Sequence, residues 1–101
     1  DNNVANMMRY YRGSVLPDIA EYRGETDFDQ HILNLEQFAP KVIDNDGTTY
    51  ALRSKHYDKA QWIKFLDAVI KFYIMEGAPI KPPLIAGYEE YKWFQNVLQR
   101  G

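Results

Sequence analysis

The chain has 101 residues, a formal charge of −2 at pH 7 and a hydrophobic content of 46%, which exclude extended disorder and indicate one globular domain. It contains no cysteine, so disulfide bonds, thiolate metal sites and cysteine nucleophiles are excluded. Its apolar runs are short and no signal-peptide pattern is visible, so no membrane partner is expected.

Charge is distributed unevenly along the chain. Residues 14–49 carry eight acidic and two basic side chains, a formal charge of −6, whereas residues 50–101 carry eight basic and five acidic ones, a charge of +3. One interpretation is two solvated faces with no specific role. The other is a basic face for an anionic partner, with the acidic part turned elsewhere or bound to a basic partner.

The first predicted elements are two short helices. Apolar residues recur at helical spacing in residues 4–12, and Gly13 is expected to end that helix. The residue before a proline is pushed out of the α region, so Pro17 is expected to begin a separate short helix that runs toward Tyr22. A turn follows at residues 23–27.

A further helix is predicted over residues 27–38. Thr26 followed by Asp29 resembles a capping box with the shorter acid, and Pro40 closes the pattern. The apolar residues of this helix recur on one side, which is expected to face the core. They are Phe28, Ile32, Leu35 and Phe38.

A β-hairpin is predicted near residues 42–52. Two short β-prone runs flank residues 44–47, whose Asp-Asn-Asp-Gly sequence favours a tight turn. The same acids suggest a calcium-binding loop. Setting Gly47 at the glycine position of an EF-hand, however, puts Val42 and Arg53 where acids are required. The hairpin is therefore the preferred interpretation.

The longest and most apolar helical pattern covers residues 57–76, and it is expected to form the central helix. Ser54 or Asp58 can start it, and Gly77 supplies the left-handed residue that ends it. Four of its apolar residues are expected to be buried. They are Trp62, Leu66, Val69 and Phe72.

A proline-rich extended loop is predicted after Gly77, and a last helix covers residues 88–100. Ile80, Leu84 and Ile85 are available to hold the loop against the core. The predicted fold is a single, mainly α domain of four or five helices with one short hairpin. It divides into an acidic helical region with the hairpin, residues 1–53, and a helix, proline loop and helix, residues 54–101. The chain is expected to be a piece of a longer protein.

The chemical inventory predicts no catalytic, cofactor-binding or metal-binding residues. His31 and His56 are far apart and lack neighbouring ligands or bases at suitable spacing. No nucleophile-elbow pattern and no glycine-rich phosphate loop is present. We therefore expect a non-enzymatic interaction module without a cofactor.

The C-terminal two-fifths of the sequence resembles the opening of an ARID, the AT-rich interaction domain of chromatin-associated proteins. The similarity spans about residues 61–101, and the family's later helices, which make its major-groove contacts, have no counterpart in this sequence. The matching residues are Phe65-Leu66-Asp67, Phe72, Gly77-x-Pro79-Ile80, Pro82-Pro83, Gly87-Tyr88, Tyr91, and Phe94-x-x-Val97-x-x-x-Gly101.

The resemblance implies a chromatin or nucleic-acid context and a nuclear location; without it, only an intracellular location is expected. In the family the proline loop lies near the DNA backbone, which would put Lys81 close to phosphate. Duplex DNA is thus one expected partner. The basic residues expected to contact its phosphates are Lys55, Lys59, Lys64, Lys81 and Lys92.

A protein partner is the other expectation, and it includes the alternative of a protein-interaction or regulatory domain with no nucleic-acid role. A sequence pI near 5.6 argues against strong DNA binding by this chain itself. Aromatic residues are common in protein interfaces. The candidate partner contacts are Tyr88, Tyr91 and Trp93.

Overall fold

A computed structural model of the chain describes residues 2–82, in which four α-helices and a β-hairpin surround one hydrophobic core. This architecture confirms the predicted mainly α class with a short hairpin. In chain order the elements are α1 (Asn2–Tyr10), a π-helical turn (Tyr11–Val15), α2 (Leu16–Arg23), α3 (Asp27–Phe38), β1 (Lys41–Ile43), β2 (Thr49–Ala51), a 3₁₀ turn (Ser54–His56) and α4 (Lys59–Glu76).

Helix α4 begins and ends where its sequence provides caps. The Asp58 side chain accepts a hydrogen bond from the backbone N–H of Gln61, at 2.8 Å, and the Gln61 side chain accepts one from the N–H of Asp58, at 3.0 Å. This is a complete capping box. Gly77 ends the helix with a φ of 101°, in the left-handed region that favours glycine. Within residues 2–82, no helix combines the length and apolarity needed to cross a bilayer.

The buried face of α4 is the centre of the core. Trp62, Leu66 and Val69 are fully buried, as predicted, but Phe72 is only half-buried because it lies at the edge of that face, beside Phe38. The buried apolar residues contributed by the other elements include Met7, Tyr11, Val15, Leu16, Ile19, Ala39, Tyr57 and Ala78.

The first two helices form one continuous helical segment, so the predicted break at Gly13 is wrong. Pro17 has no N–H and its ring would clash with the carbonyl of residue 13 in a regular α-helix. The π-helical turn solves this by widening the helix: the N–H of Leu16 bonds to the carbonyl of Tyr11, five residues back. Leu16 therefore keeps helical angles, with φ −62° and ψ −50°, despite preceding a proline.

The hairpin prediction is confirmed. Strands β1 and β2 pair antiparallel, with Val42 opposite Tyr50. Gly47 has a φ of 86°, and its N–H donates to the carbonyl of Asp44 at 3.0 Å to close the turn. The acids of this turn bond to backbone N–H groups, because Asp44 Oδ1 accepts from Asp46 and Asp46 Oδ1 accepts from Thr48.

Helix α3 has its predicted bounds and its predicted cap, since Thr26 Oγ1 accepts a hydrogen bond from the N–H of Asp29 at 3.1 Å. Its predicted core face is wrong at two of the four positions. Phe28 and Ile32 are exposed, and the residues of α3 that are fully buried are Gln30 and Asn34. Leu35 and Phe38 are partly buried against the core.

The chain after α4 returns across the first two helices. Ile80 packs partly buried against the core, as expected for a residue that holds the proline-rich loop. The backbone carbonyl of Lys81 accepts a 2.6 Å hydrogen bond from the Tyr10 hydroxyl. Leu84, Ile85 and the predicted helix over residues 88–100 lie outside the described residues.

Candidate interaction surface on helix α3

The buried side of α3 is polar, and hydrogen bonds to two other helical segments hold it in place. Gln30 Nε2 donates to Asn34 Oδ1 at 2.8 Å and to the Tyr73 hydroxyl of α4 at 3.0 Å. Asn34 Nδ2 donates to the Tyr11 hydroxyl of the π-helical turn at 3.1 Å. Because buried polar groups are costly unless bonded, these contacts specify which side of α3 faces inward.

The network continues from Tyr11 to His31. The Tyr11 hydroxyl lies 2.7 Å from His31 Nδ1. This hydroxyl accepts from Asn34 and keeps its own proton for a bond to Nδ1 in the tautomer that carries the imidazole proton on Nε2. Burial raises the pKa of Tyr11 above its usual value, so the phenol stays protonated at neutral pH.

A neighbouring contact joins the π-helical turn to the 3₁₀ turn. Arg12 donates a 3.0 Å hydrogen bond to Oγ of the buried Ser54.

Burial lowers the pKa of His31 from its ordinary value of 6.5, and the positive charge of Arg12 lowers it further. His31 is therefore a neutral member of the network at neutral pH.

This arrangement predicts a pH-dependent stability that depends on His31. As the pH falls below about 6.5, the unfolded chain takes up a proton on His31 that the folded chain resists, so the free energy of unfolding falls. Stability from this group is complete above the unfolded pKa and is lost below it. Replacing His31→Gln should make the loss between about pH 7 and pH 5 shallower in urea titrations.

His56→Gln is the matched control, because His56 is exposed in the 3₁₀ turn. Of the two variants, His31→Gln should have the shallower loss of stability between about pH 7 and pH 5. An unchanged slope in His31→Gln would contradict the assignment.

The opposite side of α3 presents apolar side chains to solvent. Phe28 is 71% exposed and Ile32, one turn later, is 39% exposed. Residues two positions apart lie about 160° apart around a helix, so burying Gln30 and Asn34 turns Phe28 and Ile32 outward. We call these two residues the α3 stripe.

Acidic residues accompany the α3 stripe. Asp29 and Glu36 are exposed on the same helix. At about 100° per residue, both lie within roughly 60° of Ile32 around the helix axis. The surface is therefore apolar with acidic side chains along one edge.

Other exposed large apolar residues are spread over different elements. Met75 lies near the end of α4, Ile43 and Tyr50 lie on the hairpin, and Tyr22 lies on α2. The Tyr22 hydroxyl is bonded to the carbonyl of Glu76 at 2.6 Å, which gives it a structural role. Single exposed apolar residues are normal on protein surfaces, whereas a helical stripe is more typical of an interaction site.

The basic residues predicted from the sequence lie on more than one element. Lys55, Lys59 and Lys64 are exposed, the first in the 3₁₀ turn and the others on α4. Lys92 and the predicted contact aromatics Tyr88, Tyr91 and Trp93 lie outside the described residues.

Lys81, the residue expected nearest to phosphate, makes an ion pair within the domain. Its Nζ lies 2.5 Å from Oδ1 of Asp18, and its backbone N–H donates to Oδ2 of the same carboxylate at 3.0 Å. Asp18 is buried on α2. The ammonium group, on a side chain that is 69% exposed, is thus paired with a buried carboxylate, and this pairing joins the segment after α4 to α2.

In the described part of the chain, no group of three or more His, Cys, Asp or Glu side chains is arranged to hold a metal ion. Two polar contacts of the fold were not predicted from the sequence. Gln30 and Asn34 are spaced as a helical i, i+4 pair of amides, which was a visible signal for a polar contact. The pairing of Asp18 with Lys81 spans 63 positions and has no local signal.

Comparison of the chain with models of protein families, with curated proteins and with solved structures finds no match.

Proposed function

We propose that this chain is a non-enzymatic interaction module that binds a protein partner through the α3 stripe. The observation that carries the proposal is the exposure of Phe28 and Ile32 on one side of a well-capped helix. Exposed apolar residues one turn apart are the anchors with which helix surfaces bind partner proteins.

Packing within the domain supports this assignment. The hydrogen bonds of Gln30 and Asn34 reach Tyr11 and Tyr73, and they hold the polar side of α3 against the core. Rotating the helix to bury Phe28 would break these bonds and expose the core beneath. The stripe is therefore available to a partner while the domain remains folded.

The ARID resemblance supports a chromatin or nucleic-acid-associated context, and with it a nuclear location. Within that context the chain contributes mainly protein contacts. Two features favour this over direct DNA binding: the acidic balance of residues 14–49 and the pairing of Lys81 with Asp18. In this role the chain is a scaffold that lies beside a DNA-binding partner or region.

Site-specific photo-cross-linking in extract of the source cells tests the proposal. A photoreactive phenylalanine analogue at position 28 should give discrete cross-linked products that persist after nuclease treatment. The same analogue at Ile43, which is 70% exposed on β1, is the matched control and should not give them. Identical products at both positions, or none at position 28, would contradict a partner site on the stripe.

A second candidate function is contact with DNA phosphates by the segment from Arg53 to Lys59, the first residue of α4. It is favoured by three exposed basic residues within seven positions, Arg53, Lys55 and Lys59. If they contact phosphate, duplex binding should weaken with salt, and Lys55→Ala with Lys59→Ala should reduce the salt slope by about two. No binding at low salt would exclude this function for the chain.

A further inference from the structure

We infer that the partner segment that occupies the α3 stripe is a basic amphipathic helix. This inference rests on the proposed function and adds the chemistry of the partner. It follows from the acidic residues around the stripe and from the position of one of them, Glu36, in the last turn of α3.

The region around the stripe is strongly acidic. Residues 21–39, which include the end of α2 and all of α3, contain five acidic residues and one basic residue, Arg23. Arg23 is itself paired with Glu25 at 3.2 Å. A partner that covers the stripe therefore meets a negative potential, which favours lysine and arginine beside its apolar residues.

Stability of α3 explains only part of this acidity. Asp27 and Asp29 lie in the first turn, where negative charge interacts favourably with the helix dipole. Glu36 lies in the last turn, where negative charge is unfavourable, and the last turn contains no basic residue. Glu36 is also exposed, so its carboxylate is directed at solvent or at a partner.

The Lys41 side chain caps the C-terminal end of α3 through backbone carbonyl groups and not through the Glu36 carboxylate. Its Nζ donates to the backbone carbonyls of Glu36 at 2.7 Å and Leu35 at 3.4 Å. The helix end is thus capped by a cation that binds carbonyl oxygens, which leaves the Glu36 carboxylate available. Glu36 therefore adds an exposed negative charge that the dipole of α3 does not require at this end.

The shape of the stripe suits a helix. Phe28 and Ile32 form one i, i+4 ridge, and such a ridge packs into the groove between the apolar side chains of a second helix. Basic residues that flank those side chains would face Asp29 and Glu36. Apolar anchors with flanking basic residues define the amphipathic class of partner.

Binding of synthetic peptides to the full chain tests the inference. Two peptides of about 18 residues share an identical leucine face, and their flanking residues are either lysine or glutamate. The lysine peptide should bind at least about tenfold more tightly at low salt, and the difference should shrink as salt screens the charges. Isothermal titration calorimetry measures both.

Variants separate the apolar and charged contributions. Phe28→Ser with Ile32→Ser should weaken binding of the lysine peptide by about tenfold or more, and Glu36→Gln should reduce its preference over the glutamate peptide. Ile43→Ser is the control, because this exposed residue lies on β1. Circular dichroism confirms that each variant remains folded.

The outcomes distinguish the two proposals. If both peptides bind equally and both depend on Phe28, the basic class is wrong while the interaction surface stands. Binding of the lysine peptide that is unaffected by the Phe28 and Ile32 substitutions would contradict the surface itself.

Two other occupants are detectable in the same variants. Faster amide exchange across residues 83–101 in Phe28→Ser would mean that this segment of the same chain covers the stripe. A concentration-dependent dimer that Phe28→Ser abolishes would mean that a second copy covers it. Either result would overturn the inference; we expect unchanged exchange and no such dimer.

Discussion

Replacing Leu66 with alanine should lower the free energy of unfolding by about 2–5 kcal/mol. Leu66 is fully buried on α4, the helix that packs at the centre of the core. Its truncation removes apolar contacts and leaves a cavity that the surrounding side chains can fill only in part. Urea titration followed by circular dichroism measures the change.

Met75→Ala is the matched control for this prediction, because Met75 lies on the same helix and is 77% exposed. It should change stability by less than about 0.5 kcal/mol. A loss in Leu66→Ala no larger than that in Met75→Ala would show that α4 does not form the core as described.

Replacing Tyr11 with phenylalanine should lower the free energy of unfolding by about 1–3 kcal/mol. The substitution keeps the ring, which packs edge-on against Phe65 at a centroid distance of 5.2 Å. It removes the hydroxyl that accepts from Asn34 and contacts His31. Asn34 is fully buried, so its Nδ2 group would be left without this partner.

Tyr50→Phe provides the comparison, since it makes the same chemical change on the exposed strand β2. Its effect should stay within about 0.5 kcal/mol. If Tyr11→Phe were equally harmless, the polar network would not determine the orientation of α3.

Local sequence signals were enough to predict α4 and the hairpin. Asp58, Gln61 and Gly77 provide the caps of α4, and its apolar period is sustained over 18 residues. The turn of the hairpin requires a positive φ, which Gly47 supplies. Both elements depend on residues that are close together in sequence, and such signals are the most reliable to read.

The continuity of the helical segment from α1 to α2 could not be predicted from local sequence signals. Gly13 and Pro17 are both normal signals for a helix end. The helix continues because four of its side chains pack in the core: Met7, Tyr11, Val15 and Ile19. The π-helical turn avoids the steric clash that Pro17 would cause in a regular α-helix. Tertiary contacts therefore override the local preference here.

The orientation of α3 was missed for a different physical reason. The pattern of Phe28, Ile32, Leu35 and Phe38 is typical of a core face, and only Leu35 and Phe38 contact the core. The partners that draw Gln30 and Asn34 inward lie on distant segments and are not encoded near α3. The wrong prediction also identifies the candidate site. Apolar side chains that have the spacing of a core face but are exposed to solvent indicate an interaction surface.

Cysteine labelling tests the orientation of α3 directly, because the chain has no cysteine of its own. Single substitutions Phe28→Cys and Asn34→Cys place a thiol on the exposed side and on the buried side of the helix. Under native conditions, a thiol reagent should label position 28 at nearly the rate of the unfolded chain. Position 34 should be labelled far more slowly, because that site is fully buried. Equal rates, or faster labelling at position 34, would contradict the proposed surface.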